Sequence, residues 1–187
     1  MEEPDEVTVT EDPNQAPVTQ DLAETRSLPK GKAPVLRKCT NGIEELEAAV
    51  TQIRSWLAAG YRPGEIGIFA PYRSRVAELS NMLIQAGIRC GWLASEADGI
   101  TRNRVQLGAI HETKGFEFEV VLLIDCVADV LANTAEFNDS DDPDTLARER
   151  QLLYVGMTRA RKELVMTWSG APSPFIESAL SHSDARK

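Results

Sequence analysis

The chain of 187 residues has only three cysteines, Cys39, Cys90 and Cys126, odd in number and far apart. Each lies in or beside apolar residues, so neither a disulfide framework nor a metal site is implied. They read as small core residues of a reduced, cytoplasmic protein. No apolar run is long enough to span a bilayer, and the acidic N-terminus lacks the basic and hydrophobic regions of a signal peptide. The expectation is a soluble intracellular chain with no membrane partner. There is no internal repeat.

Basic residues are in deficit too: 20 Lys and Arg stand against 29 Asp and Glu, a net charge of -9. Taken whole, that argues against a nucleic-acid binder, but the deficit is local. Residues 1–30 hold eight acids against Arg26 and Lys30, and Glu136, Asp139, Asp141, Asp142 and Asp144 crowd into 136–144 with no base among them. The rest carries 16 acids against 18 Lys and Arg. A nearly neutral, slightly basic body permits contact with phosphate backbones without by itself indicating it.

A hydrophobic content of 42% suffices for one core of ordinary size. Residues 1–32 are acidic, contain Pro4, Pro13, Pro17 and Pro29, and show no sustained apolar period. They cannot bury enough surface to offset the entropy of ordering and read as a disordered acidic linker. One folded domain is expected over 33–180, with a disordered tail over 181–187. Residues 34–39 read as a strand. Asn41 with Glu44 three residues on then makes a capping-box-like start for a helix whose inward stripe is Ile43, Leu46, Val50, Ile53 and Leu57, stopped by Gly60.

Residues 65–70 form a short apolar run closed by Pro71, as in a strand buried on both faces. A helix from about Ser74 turns Val76, Leu79, Leu83 and Ala86 inward and ends at Gly87. Further strands are expected at 88–93, 105–110, 118–127 and 163–168. Helices are expected at 144–161, capped by Asp142 with Pro143 at its first position, and at 174–180, capped by Ser173. Alternating strands and helices with unbroken apolar strands predict an α/β fold: a mainly parallel sheet with helices on both faces.

The strongest chemical signal is residues 148–162, where a polar, arginine-rich face runs along an otherwise buried helix and ends with Arg159. A buried helix rarely keeps an arginine without an anion to meet it, and the natural anion is phosphate. A second candidate phosphate segment, His111-Glu112-Thr113-Lys114-Gly115-Phe116-Glu117-Phe118, lies upstream. In open parallel sheets ligands bind beyond the carboxyl ends of the strands. The loops after Ala70 and Ile110 fall there, so one shared site is expected to collect an aromatic ring, two or more cations and a carboxylate. A nucleotide needs those groups: a ring face for its base, an acceptor for a ribose hydroxyl and guanidinium donors for its terminal phosphate.

Residues 65–87, 110–124 and 149–164 resemble the fourth, fifth and sixth motifs of superfamily 1 DNA helicases of the UvrD, Rep and PcrA type, in that order. The pairing of His111-x-x-Lys114-Gly115-x-Glu117-Phe118 with Tyr154-Val155-Gly156-Met157-Thr158-Arg159-Ala160 is the specific part, and the resemblance spans roughly 34–170. It implies the second RecA-like motor domain of an ATP-dependent 3′-to-5′ DNA helicase or single-strand translocase. By that resemblance Tyr72 stacks on adenine, Arg73 and Arg159 are arginine fingers to the γ-phosphate, Glu117 accepts from the ribose and Gly115 lets the backbone come close. His111 and Lys114 then face single-stranded DNA.

Two departures qualify the resemblance. No Gly-x-x-x-x-Gly-Lys-Ser/Thr phosphate loop occurs, since Lys30-Gly31-Lys32-Ala33 lacks the spacing and the hydroxyl. ATP and Mg2+ are therefore expected only in a longer protein with an N-terminal RecA-like ATPase domain, with neither bound nor hydrolysed by this segment alone. Between residues 93 and 105, where UvrD-type proteins carry a large inserted domain, this chain has only a loop.

Plainer readings stand beside these. Arg159 could pair with Glu149 on a solvated face, Tyr72 and Arg73 could be a turn residue and a helix-terminal charge, and Lys114-Gly115 an ordinary turn. His111 could be a structural histidine, and His182 sits in a polar tail. Residues 121–125 resemble a magnesium-binding Walker B strand but read as core strand. Trp56, Trp92 and Trp168 read as core or edge packing, and the acidic run at 136–144 as a solvated loop, so no metal site is expected. The competing functional reading is a stand-alone regulatory or scaffold domain of a helicase complex without turnover; a third is a nucleotide-sensing module.

Overall fold

The structure, a computed structural model, describes residues 32–93, 103–128 and 143–177. The expected linker apart from Lys32, the 181–187 tail with His182, the loop over 94–102 and the acidic run with its Asp142 cap up to residue 142 lie outside the described residues.

The elements are β1 (Val35–Cys39), α1 (Gly42–Ala58), β2 (Ile66–Ala70), α2 (Arg73–Gln85), β3 (Cys90–Trp92), β4 (Val105–Ala109), β5 (Phe118–Leu123), α3 (Pro143–Met157) and β6 (Ala160–Ser169). The strands form one sheet ordered β1-β6-β5-β2-β4-β3, and each neighbouring pair is parallel. Strand side chains alternate between two cores. Ile66, Ile68, Ala70, Leu107, Val120, Leu122 and Ile124 meet α1 and α2 on one face, while Phe69, Phe118, Val121, Leu123, Leu164 and Met166 meet Leu153 of α3 and Ile176 on the other. Helices therefore cover both faces, and β2 is buried along its whole length, as its unbroken apolar run requires. No described helix is long and apolar enough to cross a membrane.

Helix α1 starts where its sequence directs. The Asn41 side chain accepts from the backbone N–H groups of Ile43 and Glu44, both at 2.9 Å. Glu44 reaches back one residue further than a capping box would, accepting from the Thr40 N–H at 2.7 Å. The helix ends before Gly60, whose φ of +94° disfavours any side chain. Its buried stripe runs through Leu46, Ala49, Val50, Ile53 and Trp56. Ile43 is exposed, because the first turn faces inward through Glu45, so the expected stripe is corrected at that end.

Other boundaries shift for identifiable reasons. The strand expected over 118–127 leaves the ladder after Leu123, and Asp125 takes a left-handed φ of +60°. The helix expected over 144–161 stops at Met157, because the Arg159 carbonyl accepts from Phe118 N–H at 2.9 Å and Ala160 already pairs with Phe118 in the β5–β6 ladder. The strand expected at 88–93 keeps only three paired residues. Ser173 precedes a helical turn at 174–177 and its carbonyl accepts from Ile176 and Glu177, but its hydroxyl is buried without a partner, so the expected side-chain cap does not form.

Cys39 and Cys126 are buried free thiols, and burial pushes the Cys126 thiol well above its ordinary range. Cys90 is only half-buried, at the end of the sheet. Trp56 and Trp168 are core residues; Trp92 is an edge residue, more than a third exposed.

Candidate functional site

Between β4 and β5 the chain crosses from the carboxyl edge of the sheet to its amino edge in eight residues, 110–117, with no α-helix. A 3-10 turn at Ile110–Thr113 comes first, closed by the Thr113 hydroxyl donating to the Ile110 carbonyl at 2.7 Å. Gly115 then takes φ +87°, a conformation that favours glycine, and Phe116 N–H returns to the Thr113 carbonyl at 3.0 Å. This connection lies beside α3, and between them runs a groove of about 690 Å³, within the usual range for small-ligand sites.

One wall of the groove is a helical stripe, Arg148, Gln151, Leu152, Val155 and Arg159, with spacings of three and four residues that keep them on one face of α3 and its C-terminal turn. The other wall presents Pro71 and Tyr72 from the end of β2, then His111 and Lys114. Tyr72 is half-buried at the N-cap of α2, and burial, then the carboxylates of Asp125 and Glu149, raises its phenol above the ordinary value, so the ring is neutral at physiological pH. His111 and Lys114 are exposed. The lining combines an aryl ring with cationic and neutral donors, a set that suits phosphate oxygens better than a cation. Among the described residues there is no cluster of three or more potential metal ligands.

Arg159 is half-buried, and its guanidinium is satisfied by neutral oxygens alone. Nε donates to the Val155 carbonyl at 3.0 Å, Nη1 to the Phe116 carbonyl at 3.2 Å and Nη2 to the Thr158 hydroxyl at 3.1 Å. The side chain is thus fixed in place while no carboxylate among the described residues compensates its charge. The alternative pairing with Glu149 does not occur; Glu149 is buried on the inward side of α3 with Leu153 and Gly156. That side is narrow. Tyr154 is 64% exposed and Met157 38%, so the picture of an otherwise buried helix is corrected: α3 lies on the sheet with most of its surface outward.

Three expected site residues, Arg73, Gly115 and Glu117, stand outside this groove. Glu117, one residue before β5, is at the amino edge of the sheet, where Arg161 at the start of β6 donates to it through Nε at 2.9 Å and Nη2 at 2.6 Å. It opens on a separate depression shared with Arg62, Glu65 and Glu119. Arg73, the first residue of α2, donates through Nε to Glu112 at 2.5 Å and lies over the Trp92 ring, 5.1 Å from its centroid. The structure therefore brings together Tyr72, His111, Lys114 and Arg159, adds Arg148 and Gln151, and places Gly115, Glu117 and Arg73 apart from the groove lining. Arg148 and Gln151 were recoverable from helical spacing back from Arg159. Glu112 carries no such sequence signal, because its partner is 39 residues away.

Behind the site, the buried Glu45 ties the carboxyl edge together. Its Oε1 accepts from the Asp125 N–H at 2.8 Å and the Thr167 hydroxyl at 2.7 Å, and its Oε2 from Arg75 at 3.2 Å. Desolvation, reinforced by the Glu45 charge, raises the Asp125 carboxyl above its ordinary value. Residues 121–124 are buried core, and Asp125 faces this network.

Among the described residues, a parallel sheet with helices on both faces, carrying a cationic groove beside the turns that leave β2 and β4, is the architecture of a RecA-like domain. Residues 93–171 match the model of the UvrD-like helicase C-terminal domain. It is 46% identical over 69 residues to the ATP-dependent DNA helicase Rep of Buchnera aphidicola (subsp. Schizaphis graminum), a match covering 37% of this chain and 10% of that protein. It is 34% identical over 70 residues to the ATP-dependent DNA helicase UvrD2 of Mycobacterium tuberculosis, with the same coverage of 37% and 10%. The DNA helicase II of Haemophilus influenzae is 28% identical over 127 residues, 68% of this chain and 15% of that one. The matches thus span only about a tenth to a seventh of the length of these relatives. Among solved structures, the C-terminal domain of a possible DNA helicase from Lactobacillus plantarum WCFS1 shares the fold, with a TM-score of 0.58 at 20% identity over 78% of this chain and 80% of that one.

Proposed function

We propose that this domain is the second motor domain of an ATP-dependent 3′-to-5′ DNA helicase or translocase, closing one side of an ATP site whose phosphate loop and Mg2+ ligands belong to an N-terminal RecA-like domain. The observation that carries the reading is Arg159: a guanidinium pinned by three neutral oxygens at the side of a groove that also presents Tyr72 and Lys114. A pinned, uncompensated arginine is pre-organised for an incoming anion and needs no reorganisation when phosphoryl charge develops. Tyr72 supplies a neutral ring for the base, while His111 and Lys114, exposed on the connection that also bounds the groove, form part of the single-stranded DNA track. Arg73 and Glu117, which the resemblance gives as second finger and ribose acceptor, lie outside this groove, at the carboxyl and amino edges of the sheet. By itself the domain lacks the other half of the site and turns over no ATP.

The test is Arg159→Ala in the protein that includes the N-terminal motor domain. DNA-stimulated ATPase falls by about three to five orders of magnitude, the range for arginine fingers, while nucleotide binding is largely kept. Wild-type turnover in the folded variant would falsify the assignment.

A further inference from the structure

Of the three tryptophans, Trp56 and Trp168 are core residues, each 2% exposed. Trp92 belongs to neither core. It is the last residue of β3, the strand at one end of the sheet, and 37% of its surface is exposed. The ring is nonetheless braced: the Arg73 guanidinium lies over it, 5.1 Å from the centroid. Arg73 Nε in turn donates to Glu112 Oε1 at 2.5 Å, and Glu112 Oε2 accepts the Ala109 N–H at 2.8 Å at the end of β4. Because Glu112 compensates the Arg73 charge, that guanidinium supports the indole rather than offering a free cation. Trp92 pairs with Leu107, and β4 runs from there into the turn that carries His111 and Glu112. The braced indole and the exposed His111 therefore share one corner of the carboxyl edge.

We infer that Trp92 is a stacking platform for a base of single-stranded DNA, extending the track of His111 and Lys114 to the end of the sheet. The inference rests on the reading of those two residues as the side that faces the strand. Arg73 takes one face of the ring, and the base covers exposed surface that Arg73 leaves open. Every base has a π face, so such a contact is tolerant of sequence. A ring already held by a guanidinium loses little freedom when a base settles on it. The contact is between a neutral ring and a base, so it adds affinity without adding a phosphate contact, whereas Lys114 supplies one.

The test is the binding of an oligo(dT) probe by the protein with its N-terminal motor domain. Trp92→Ala weakens binding about fivefold to a hundredfold, the range for one lost base stack. The salt dependence of log Kd keeps its slope in that variant, because no phosphate contact is removed, while Lys114→Ala lowers the slope by about one. Trp92→Leu keeps an apolar side chain without a π face and loses as much as Trp92→Ala; Trp92→Phe retains most of the affinity. A single abasic position moved along the probe locates the stacked base: one position weakens wild-type binding, and that penalty is absent in Trp92→Leu. Two results overturn the inference while a loss in Lys114→Ala leaves the track intact: wild-type affinity in Trp92→Leu, or the same abasic penalties with and without the indole, which marks a merely structural role. Unchanged affinity and slope in both His111→Ala and Lys114→Ala removes the track, and the inference with it. The Leu and Phe variants with the abasic scan decide the matter if Trp92→Ala is poorly folded.

Discussion

Replacing Glu45 tests how the carboxyl edge of the sheet is held. The side chain is fully buried in the first turn of α1 and accepts from three elements at once: the backbone after β5, the Thr167 hydroxyl of β6 and Arg75 of α2. In Glu45→Ala the Asp125 N–H and the Thr167 hydroxyl lose their acceptor, at about 1–3 kcal/mol for each buried group left unsatisfied. Arg75, still bonded to the Gly42 carbonyl and Glu78, both at 2.6 Å, loses only its innermost contact. The sum is about 2–6 kcal/mol, a large share of the roughly 5–15 kcal/mol that stabilises a domain. Glu45→Gln is milder. Both the Asp125 and Thr167 donors converge on Oε1, which a carbonyl oxygen can replace, and only the Arg75 contact then meets an NH2 group. Urea unfolding should show midpoints in the order Glu47→Ala, Glu45→Gln, Glu45→Ala from highest to lowest at unchanged slope, with the exposed Glu47→Ala within about 0.5 kcal/mol of wild type. A Glu45→Ala protein within about 1 kcal/mol of wild type, or a Gln variant as unstable as the Ala one, would refute the network as described.

Gly67 in β2 lies under the Phe69–Phe118 pair, and a Cβ there would sit 2.6 Å from Phe69 Cε2 and 2.9 Å from Phe118 Cδ2. Gly67→Ala should therefore cost about 1–3 kcal/mol by overpacking, and an unchanged thermal midpoint would contradict the packing. Burial raises the Asp125 carboxyl above its ordinary 3.8, so the native state binds that proton more tightly than the unfolded chain does. Ionised Asp125 thus opposes folding above the raised value, and the cost fades as pH falls toward 3.8. Asparagine tolerates the φ of +60° at this position. Asp125→Asn should accordingly be more stable than wild type at pH 7, with the difference shrinking at acid pH; a difference of constant size across the range would rule out titration as its source.

Much of the fold could be read from periodicity. The stripe of α1 from Leu46 to Ile53, the inward residues of α2 and the two-sided burial of β2 follow from spacing, since each period has one face to bury. Errors collected where a tertiary contact ends or extends an element. Residues 158–161 read as the end of a helix, yet Arg161 and its neighbour Lys162 pair across the sheet with Glu117 and Glu119 at 2.6 and 2.7 Å, and such pairs are invisible until β6 lies beside β5. Ile43 fitted the apolar spacing of α1 and proved exposed, because Glu45 occupies the inward position of that turn.

The α/β alternation, two motif segments in order and the identity of the cationic residues are legible in the chain's own order, because spacing and residue chemistry are local properties. Which of those residues meet depends on how the strands assemble. A connection of eight residues carries His111 and Lys114 along one side of α3 and leaves Glu117 at the opposite edge of the sheet. It also hands Arg73 to Glu112 and gives Arg159 only neutral partners. Those pairings join residues tens of positions apart, and their geometry is set by strand order and register, which no local period encodes.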